Sequence, residues 1–268
     1  MMEWHLQKFM KSLPLSQLQT HHSLQRVAVV ATDLDGTLTH QGKFTPDLLQ
    51  ALAALAAASI AVVIVTGRSG GWVSGLVSYL PVVGAIAENG GIFYPSNGTP
   101  VLLTAIADLK RHRQQLAADF AHLLTEFPHL RETEDNAFRV TDWTFEVAGL
   151  TSDHLQRLRS LCAEMGWGFT FSTVHCHIKP HPQDKAGALM QVLGDRFPDY
   201  SRDRVVTVGD SPNDESLFDN TLFPLSVGVA NIAEYGDILT HHPAYVTDLP
   251  ESEGFCELVR AILAAKLP

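Results

Sequence analysis

The sequence has few cysteines and no long hydrophobic run. Its three cysteines, Cys162, Cys176 and Cys256, are widely spaced and odd in number, so a disulfide framework is not expected and a reducing compartment is indicated. No apolar run reaches the roughly 18 residues that span a membrane, and residues 1–26 lack the apolar centre of a secretory signal. We therefore expect a cytoplasmic protein that does not interact with membranes and that carries residues 1–26 as an N-terminal extension.

Positive charge is also scarce. The 268 residues include 19 Lys and Arg against 29 Asp and Glu, which gives a formal net charge of −10. This excess of negative charge disfavours nucleic acid and anionic membranes as partners. It does not exclude an anionic substrate, because local groups and a metal ion can reverse the field inside a site.

Apolar runs alternate with helical patterns in the first and last thirds of the chain. The run Val27–Ala31 has the character of a buried parallel strand, and Asp33 and Asp35 follow it directly. Strand, helix and strand with short links predict a parallel sheet with right-handed crossovers. The fold class is therefore α/β, with a doubly wound, Rossmann-like core formed by residues 27–91 and 180–268.

The pattern changes between residues 92 and 179. A hairpin is predicted at 92–103, then a long amphipathic helix, strands at 138–140 and 144–147, a second helix, and alternating strands at 169–172 and 174–179. This order predicts an inserted α+β cap domain with a half-exposed antiparallel sheet.

Polar residues follow several predicted core strands or begin the helices after them. Because parallel strands end at one edge of a sheet, these side chains should converge there. They are Asp33, Asp35, Thr66, Lys185, Asp210 and Asp214. Converging carboxylates repel one another unless a cation compensates them, and an all-oxygen site suits Mg²⁺. With Lys185 supplying positive charge, the predicted ligand is a phosphoryl group beside the metal.

Taken singly, these residues have plainer interpretations. Thr66-Gly67 also fits an ordinary turn at the end of a strand. Lys185 also fits a solvated lysine at the start of a helix. Asp214 is also typical of an acid in the first turn of a helix. Arg68 is interpreted as a surface residue at a helix start. The functional assignment therefore rests on the joint pattern.

The ordered motifs resemble those of the haloacid dehalogenase superfamily. They are Asp33-x-Asp35-Gly36-Thr37, Thr66-Gly67-Arg68, Lys185, and Gly209-Asp210-Ser211-x-Asn213-Asp214. The position of the insert, together with Glu88-Asn89-Gly90 before it, resembles the subgroup of sugar-phosphate phosphatases with a large α/β cap (subfamily IIB, Cof-type).

The resemblance implies a role for each matched residue. Asp33 is similar to the nucleophile that forms an aspartyl-phosphate, and Asp35 to the general acid and base. Thr66, Gly67 and Lys185 are similar to the phosphate-binding residues. The implied Mg²⁺ ligands are Asp33, the Asp35 backbone carbonyl, Asp210 and Asp214, and the loop that supports them contains Ser211 and Asn213. An acid at position 35 fits a leaving group that needs a proton, as an alkoxide does.

The last strand of the insert alternates in character. His175, His177 and Lys179 share one face, and Arg139 is interpreted as part of the same polar surface. Two interpretations stay open: this face closes over the core and recognises the substrate's alcohol, or it is a solvated sheet surface. The sequence His175-Cys176-His177 also suggests a transition-metal site. Strand geometry disfavours such a site, because Cys176 points to the opposite face from the two histidines.

The expected function is a Mg²⁺-dependent phosphatase for a small phosphorylated metabolite, such as a sugar phosphate or glycosyl phosphate. A phosphomutase is the nearest alternative, and a non-catalytic sugar-phosphate-binding protein is an alternative of another class. We expect a monomer or a homodimer whose partner is the small phosphorylated substrate.

Overall fold

The computed structural model describes residues 12–18 and 23–267. Within them, strands form one nine-stranded sheet and one three-stranded sheet. The strands are β1 (Leu13–Pro14), β2 (Val29–Thr32), β3 (Ala61–Val65), β4 (Gly84–Ala87), β5 (Ile92–Pro95), β6 (Val101–Leu102), β7 (Trp143–Glu146), β8 (Trp167–Phe171), β9 (His175–Pro180), β10 (Val205–Gly209), β11 (Leu225–Gly228) and β12 (Tyr245–Val246).

Helices connect these strands and cover both sheets. The α-helices are α1 (Leu15–Leu18), α2 (Pro46–Ala57), α3 (Gly70–Tyr79), α4 (Leu109–Glu126), α5 (Ser152–Glu164), α6 (Lys185–Arg196) and α7 (Glu251–Ala265). Short 3₁₀ helices span Leu24–Arg26, Glu134–Phe138, Arg202–Arg204, Pro212–Phe218 and Ala230–Tyr235. None of the described helices is both long and apolar enough to cross a membrane.

The large sheet forms the core, in the order β1-β12-β11-β10-β2-β3-β4-β5-β6. In this spatial order, each pair of adjacent strands from β1 through to β4 is parallel. Apolar clusters fill both faces: Leu52 and Phe255, from α2 and α7, belong to one, and Leu189 from α6 belongs to the other. This confirms the doubly wound α/β core. Strands β2, β3, β4, β10 and β11 therefore end at one edge, where the candidate site lies.

The hairpin at 92–103 belongs to this core sheet, whereas the sequence pattern assigned it to the cap. Strand β5 pairs antiparallel with β4, with Phe93 opposite Ile86, and β6 pairs with β5. Ile92 and Phe93 are buried on opposite faces, one in each core cluster. The insert therefore starts after β6, and the boundary predicted at residue 92 lies too early.

The N-terminal segment also contributes to the core. Residues 1–11 and 19–22 lie outside the described part of the chain. Strand β1 extends the sheet beside β12, and Leu15, Leu18 and Leu24 are buried in the core cluster. The core therefore includes residues that the sequence pattern placed in the extension, and helix α7 was not predicted.

The cap is a three-stranded antiparallel sheet, ordered β7-β9-β8, with α4 and α5 packed on one face. Phe145, Cys176 and Ile178 point into this apolar layer and are fully buried. The strand predicted at 138–140 is wrong, because a 3₁₀ helix ends at Phe138 and the chain then turns toward the core. The backbone N–H groups of residues 140 and 141 donate to a core carboxylate, so no strand ladder forms there.

Candidate active site

Three buried carboxylates meet at the carboxyl edge of the core sheet. Asp33 follows β2, while Asp210 and Asp214 follow β10, and one oxygen from each lies within 4.8 Å of the others. Asp33 is 3% exposed, and the other two are fully buried. The structure thus brings together three of the predicted metal ligands.

Lys185 bridges two members of this cluster. As the first residue of α6, it places Nζ 2.6 Å from Asp33 Oδ1 and 2.7 Å from Asp214 Oδ1, and its side chain is fully buried. Burial opposes the charge, but the two carboxylates outweigh it and raise the pKa of Lys185. The ammonium therefore stays charged and partly compensates the acids.

The remaining negative charge perturbs the cluster. Burial, opposed by Lys185 and reinforced by Asp214, raises the pKa of Asp33 from 3.8 to about 7. Burial and the neighbouring carboxylates also raise the pKa of Asp210 well above its usual value. Three converging oxygen donors with excess negative charge match the preference of a hard divalent cation such as Mg²⁺, so the residues present fit this metal.

Asp210 is held on both carboxylate oxygens. Thr37 Oγ1 donates to Oδ1 at 2.9 Å, and Asn231 Nδ2 donates to Oδ2 at 3.1 Å and also to the Gly36 carbonyl. Gly36 has φ +80°, and a Cβ there would lie 2.4 Å from Asp210 Oδ2. Glycine is therefore required where the Asp35-Gly36 turn passes this carboxylate.

Asn231 was missed by the sequence interpretation. It lies three residues after the end of β11, at the same sheet edge as the other site residues. Its Oδ1 accepts the N–H of Glu251 at 2.9 Å, so it links the site to the start of α7. Its position after a parallel strand is the signal by which it could have been found.

Asp214 supports the loop after β10 as well as binding Lys185. Its Oδ2 accepts the backbone N–H groups of Asp210 at 2.9 Å and Ser211 at 3.2 Å. Ser211 Oγ donates to Asn213 Oδ1 at 2.7 Å. All four residues of this motif are therefore in contact with one another or with Lys185.

Asp35 lies beside the cluster, with its carboxylate turned toward Arg68. Arg68 Nε and Nη2 donate to the two Asp35 oxygens, each at 2.7 Å. The guanidinium also lies over the Trp72 ring, 4.9 Å from its centroid. The surface interpretation of Arg68 is thus wrong, because this bidentate pair orients the carboxylate.

Thr66 and Gly67 lie where the sequence placed them, at the end of β3. They line one small cavity together with Asp33 and Asp35. From the cap, this cavity is lined by Ser172, Val174, His175 and His177. The cap therefore closes directly over the two aspartates.

Of the three cap residues proposed for specificity, His177 alone lines this cavity. Asp142 Oδ2 lies 2.8 Å from His177 Nδ1, and burial lowers the pKa of His177. A neutral ring that donates Nδ1–H to Asp142 carries an acceptor lone pair on Nε2.

Arg139 and Lys179 are occupied by contacts within the chain. Arg139 donates to Asp135, Asp142 and the Gly67 carbonyl, and Lys179 Nζ donates to the Gln183 carbonyl. Both side chains are buried. The polar cap face is therefore not a solvated surface, and Arg139 joins the cap to the Thr66-Gly67 loop.

A second cap-to-core contact is made by Glu88, which follows β4. Its carboxylate accepts the N–H groups of Gly70, Val140 and Thr141 and the Thr141 hydroxyl, at 2.6–3.1 Å. Glu88 is fully buried. Burial raises its pKa. Core and cap are thus joined through groups next to the site.

A doubly wound core that carries an acid cluster and a buried lysine at its sheet edge, closed by an α+β cap, is the arrangement of the haloacid dehalogenase fold. Residues 30–122 match the family of haloacid dehalogenase-like hydrolases. Over 88% of its length the chain is 28% identical to phosphoglycolate phosphatase 1 of Saccharolobus solfataricus, of which it covers 96%. It is also 25% identical to a phosphoglycolate phosphatase of Methanothrix thermoacetophila, over 89% of this chain and 98% of that protein.

A solved structure from Thermoplasma acidophilum superposes with a TM-score of 0.71 at 18% identity, covering 88% of this chain and 98% of that one. The likeness extends over core and cap together. Core and cap together therefore have the haloacid dehalogenase fold, and the family match covers residues 30–122.

Proposed function

We propose that this protein is a Mg²⁺-dependent phosphatase that hydrolyses a small phosphorylated metabolite through an aspartyl-phosphate on Asp33. The convergence of Asp33, Lys185, Asp210 and Asp214 within one buried site carries this proposal. Phosphatase activity itself is supported by the family match and by the two relatives named phosphatases.

The chain's own groups supply each step. A carboxylate oxygen of Asp33 bonds to phosphorus as the ester P–O bond breaks. Asp35, which must be protonated and give up one of its two Arg68 hydrogen bonds for this step, gives its proton to the leaving oxygen. Asp35 then takes a proton from water, whose oxygen attacks phosphorus and breaks the bond to Asp33. Inorganic phosphate and free Asp33 result. Thr66, Gly67 and Lys185 bind the phosphoryl oxygens as charge shifts onto them.

Asp33, Asp210 and Asp214 would hold the metal, together with the Asp35 backbone carbonyl that the family resemblance implies. When bound, Mg²⁺ supplies positive charge that lets one anion approach another. Thr37, Asn231 and Ser211 support this set by fixing the orientation of Asp210 and Asp214.

The substrate's alcohol lies under the cap in this proposal. His177, oriented by Asp142, presents Nε2 to the cavity and accepts a hydrogen bond from a hydroxyl of a sugar phosphate. Phosphoglycolate is a second candidate, favoured by the names of the two relatives. Arg139 and Lys179 are proposed to act indirectly, by holding the cap in place.

The test is phosphate release from a panel of phosphorylated sugars, glycerates, phosphoglycolate and nucleotides, with Mg²⁺ and with EDTA. We expect Mg²⁺-dependent release from at least one small ester, without the bisphosphate activator that a phosphomutase needs. His177→Ala should change the relative rates among esters, whereas a uniform decrease would contradict its role in specificity. Absence of release across the whole panel would contradict the proposal.

A further inference from the structure

Asn89 carries a buried donor that the described chain does not satisfy. The residue is 1% exposed, and its Nδ2 makes no hydrogen bond. Leaving an amide donor buried and unpaired costs free energy, so such groups are rare in folded proteins. A ligand that accepts a hydrogen bond would remove this cost.

The surroundings of Asn89 place this donor behind the Thr66-Gly67 loop, where the residue lines a cavity that shares Asn213 with the one that holds Asp33. Its Oδ1 accepts from Asn213 Nδ2 at 3.0 Å, and its backbone N–H donates to the Thr66 carbonyl at 3.0 Å. Nδ2 lies 3.2 Å from the position that a Cβ on Gly67 would occupy. His177 Nε2 lies 3.1 Å from the same position.

The backbone at Asn89 is also unusual. Glu88, Asn89 and Gly90 have φ of 56°, 54° and 104°, so three consecutive residues are left-handed. Asparagine tolerates this region better than most residues, because its short polar side chain makes local hydrogen bonds. This turn directs the Asn89 side chain back toward the end of β3.

We propose that Asn89 binds the phosphoryl group of the substrate by donating Nδ2–H to one of its oxygens. A phosphate monoester dianion presents terminal oxygens that only accept, and such charged acceptors form the stronger class of hydrogen bond. Asn89 thereby adds a neutral donor to Thr66, Gly67 and Lys185. This inference rests on the proposed function in placing the phosphoryl group at Asp33.

Two variants separate the donor from the other contacts of Asn89. Asn89→Gly removes the side chain and suits the left-handed backbone. Asn89→Asp keeps the acceptor for Asn213 but replaces the donor with an oxygen. The matched control is Ser59→Gly, an exposed left-handed position just before β3, whereas Thr66 follows the other end of that strand.

The measurement is the affinity for inorganic phosphate in the presence of Mg²⁺, by isothermal titration calorimetry on the full chain. We expect about tenfold weaker binding or more for Asn89→Gly, a larger loss for Asn89→Asp, and no change for Ser59→Gly. Phosphate binding within about twofold of wild type in Asn89→Asp would overturn the inference.

Steady-state kinetics with phosphate esters distinguish the remaining outcomes. If Asn89→Gly binds inorganic phosphate normally but has a raised KM for an ester, the amide binds the leaving group and the inference is wrong. If the wild type binds phosphate through Asn89 but hydrolyses no ester, the proposed function fails while the inference stands.

Discussion

Replacing Lys185 with methionine removes the one ammonium that contacts Asp33 and Asp214 among the described residues. Methionine has a similar length and no charge, so packing changes little while the electrostatics change greatly. The three buried carboxylates are then left without their protein cation. Removing one partner of a buried ion pair typically costs about 3–5 kcal/mol.

The cost should depend on pH because the acids can take up protons. The pKa of Asp33 is already raised to about 7 in the native protein, and the loss of Lys185 removes an interaction that lowers it. At pH 8 the carboxylates of the variant either stay ionised and repel one another or take up protons at a pH where protonation is unfavourable. At pH 5.5 protonation neutralises the cluster more easily. The full loss is therefore expected at pH 8, and a smaller one at pH 5.5.

The assay is thermal and urea denaturation in EDTA, with Lys43→Met as the control for an exposed lysine. At pH 8, Lys185→Met should lower Tm by about 6–20 °C, since 1 kcal/mol corresponds to about 2–4 °C in a chain of this size. Lys43→Met should change the stability by less than about 0.5 kcal/mol. A loss below about 1 kcal/mol at pH 8, or an equal loss at both pH values, would refute the electrostatic reasoning.

Three further perturbations test other contacts. Arg68→Lys cannot keep two hydrogen bonds to Asp35, so kcat should fall about tenfold while KM changes little. Steady-state kinetics measure both constants, and an unchanged kcat would contradict the orienting role of Arg68. Glu88→Gln sets an amide against four donors and should cost about 1–3 kcal/mol in urea denaturation. The exposed control Glu126→Gln should cost less, and equal losses would count against a specific contact. The folded-state pKa of Asp33 is raised from 3.8 to about 7, so the free energy of unfolding without metal should fall as pH rises through 7. Because Mg²⁺ needs the ionised carboxylate, it should raise Tm more at pH 8 than at pH 5.5. An equal rise in Tm at both pH values would contradict the metal assignment.

The core and its acid cluster could be predicted because both depend on regular rules. Buried parallel strands have continuous apolar runs, and their carboxyl ends share one edge. Asp33 and Asp210 follow such strands, and Asp214 and Lys185 lie at the starts of the helices beside them. Their convergence therefore follows from topology and needs no knowledge of side-chain packing.

Long-range partners could not be read from local pattern. Arg68 looks like a surface residue until the loop after β2 brings Asp35 to it. The alternation that put Arg139 on the cap sheet predicts orientation only within a strand, and the chain at 138–140 is not one. Its guanidinium instead binds Asp142 and the Gly67 carbonyl.

The domain boundary was missed for a similar reason. A hairpin has the same local signature whether it joins the core sheet or the cap. Pairing of β5 with β4 decides the matter, through Ile92 and Phe93 packing on opposite faces of the core. Likewise, short strands such as β1 carry too few residues for a periodic signal, although Leu13 and Pro14 complete the sheet edge.

The most direct test of the account is phosphate release by Asp33→Asn, with the best ester from the panel and saturating Mg²⁺. Asparagine keeps the size of the side chain and its contact with Lys185 but cannot act as the nucleophile. We predict that kcat falls by at least about 10³-fold, while thermal denaturation shows a folded protein. Phosphate release at the wild-type rate would contradict the assignment of Asp33 and with it the proposed mechanism.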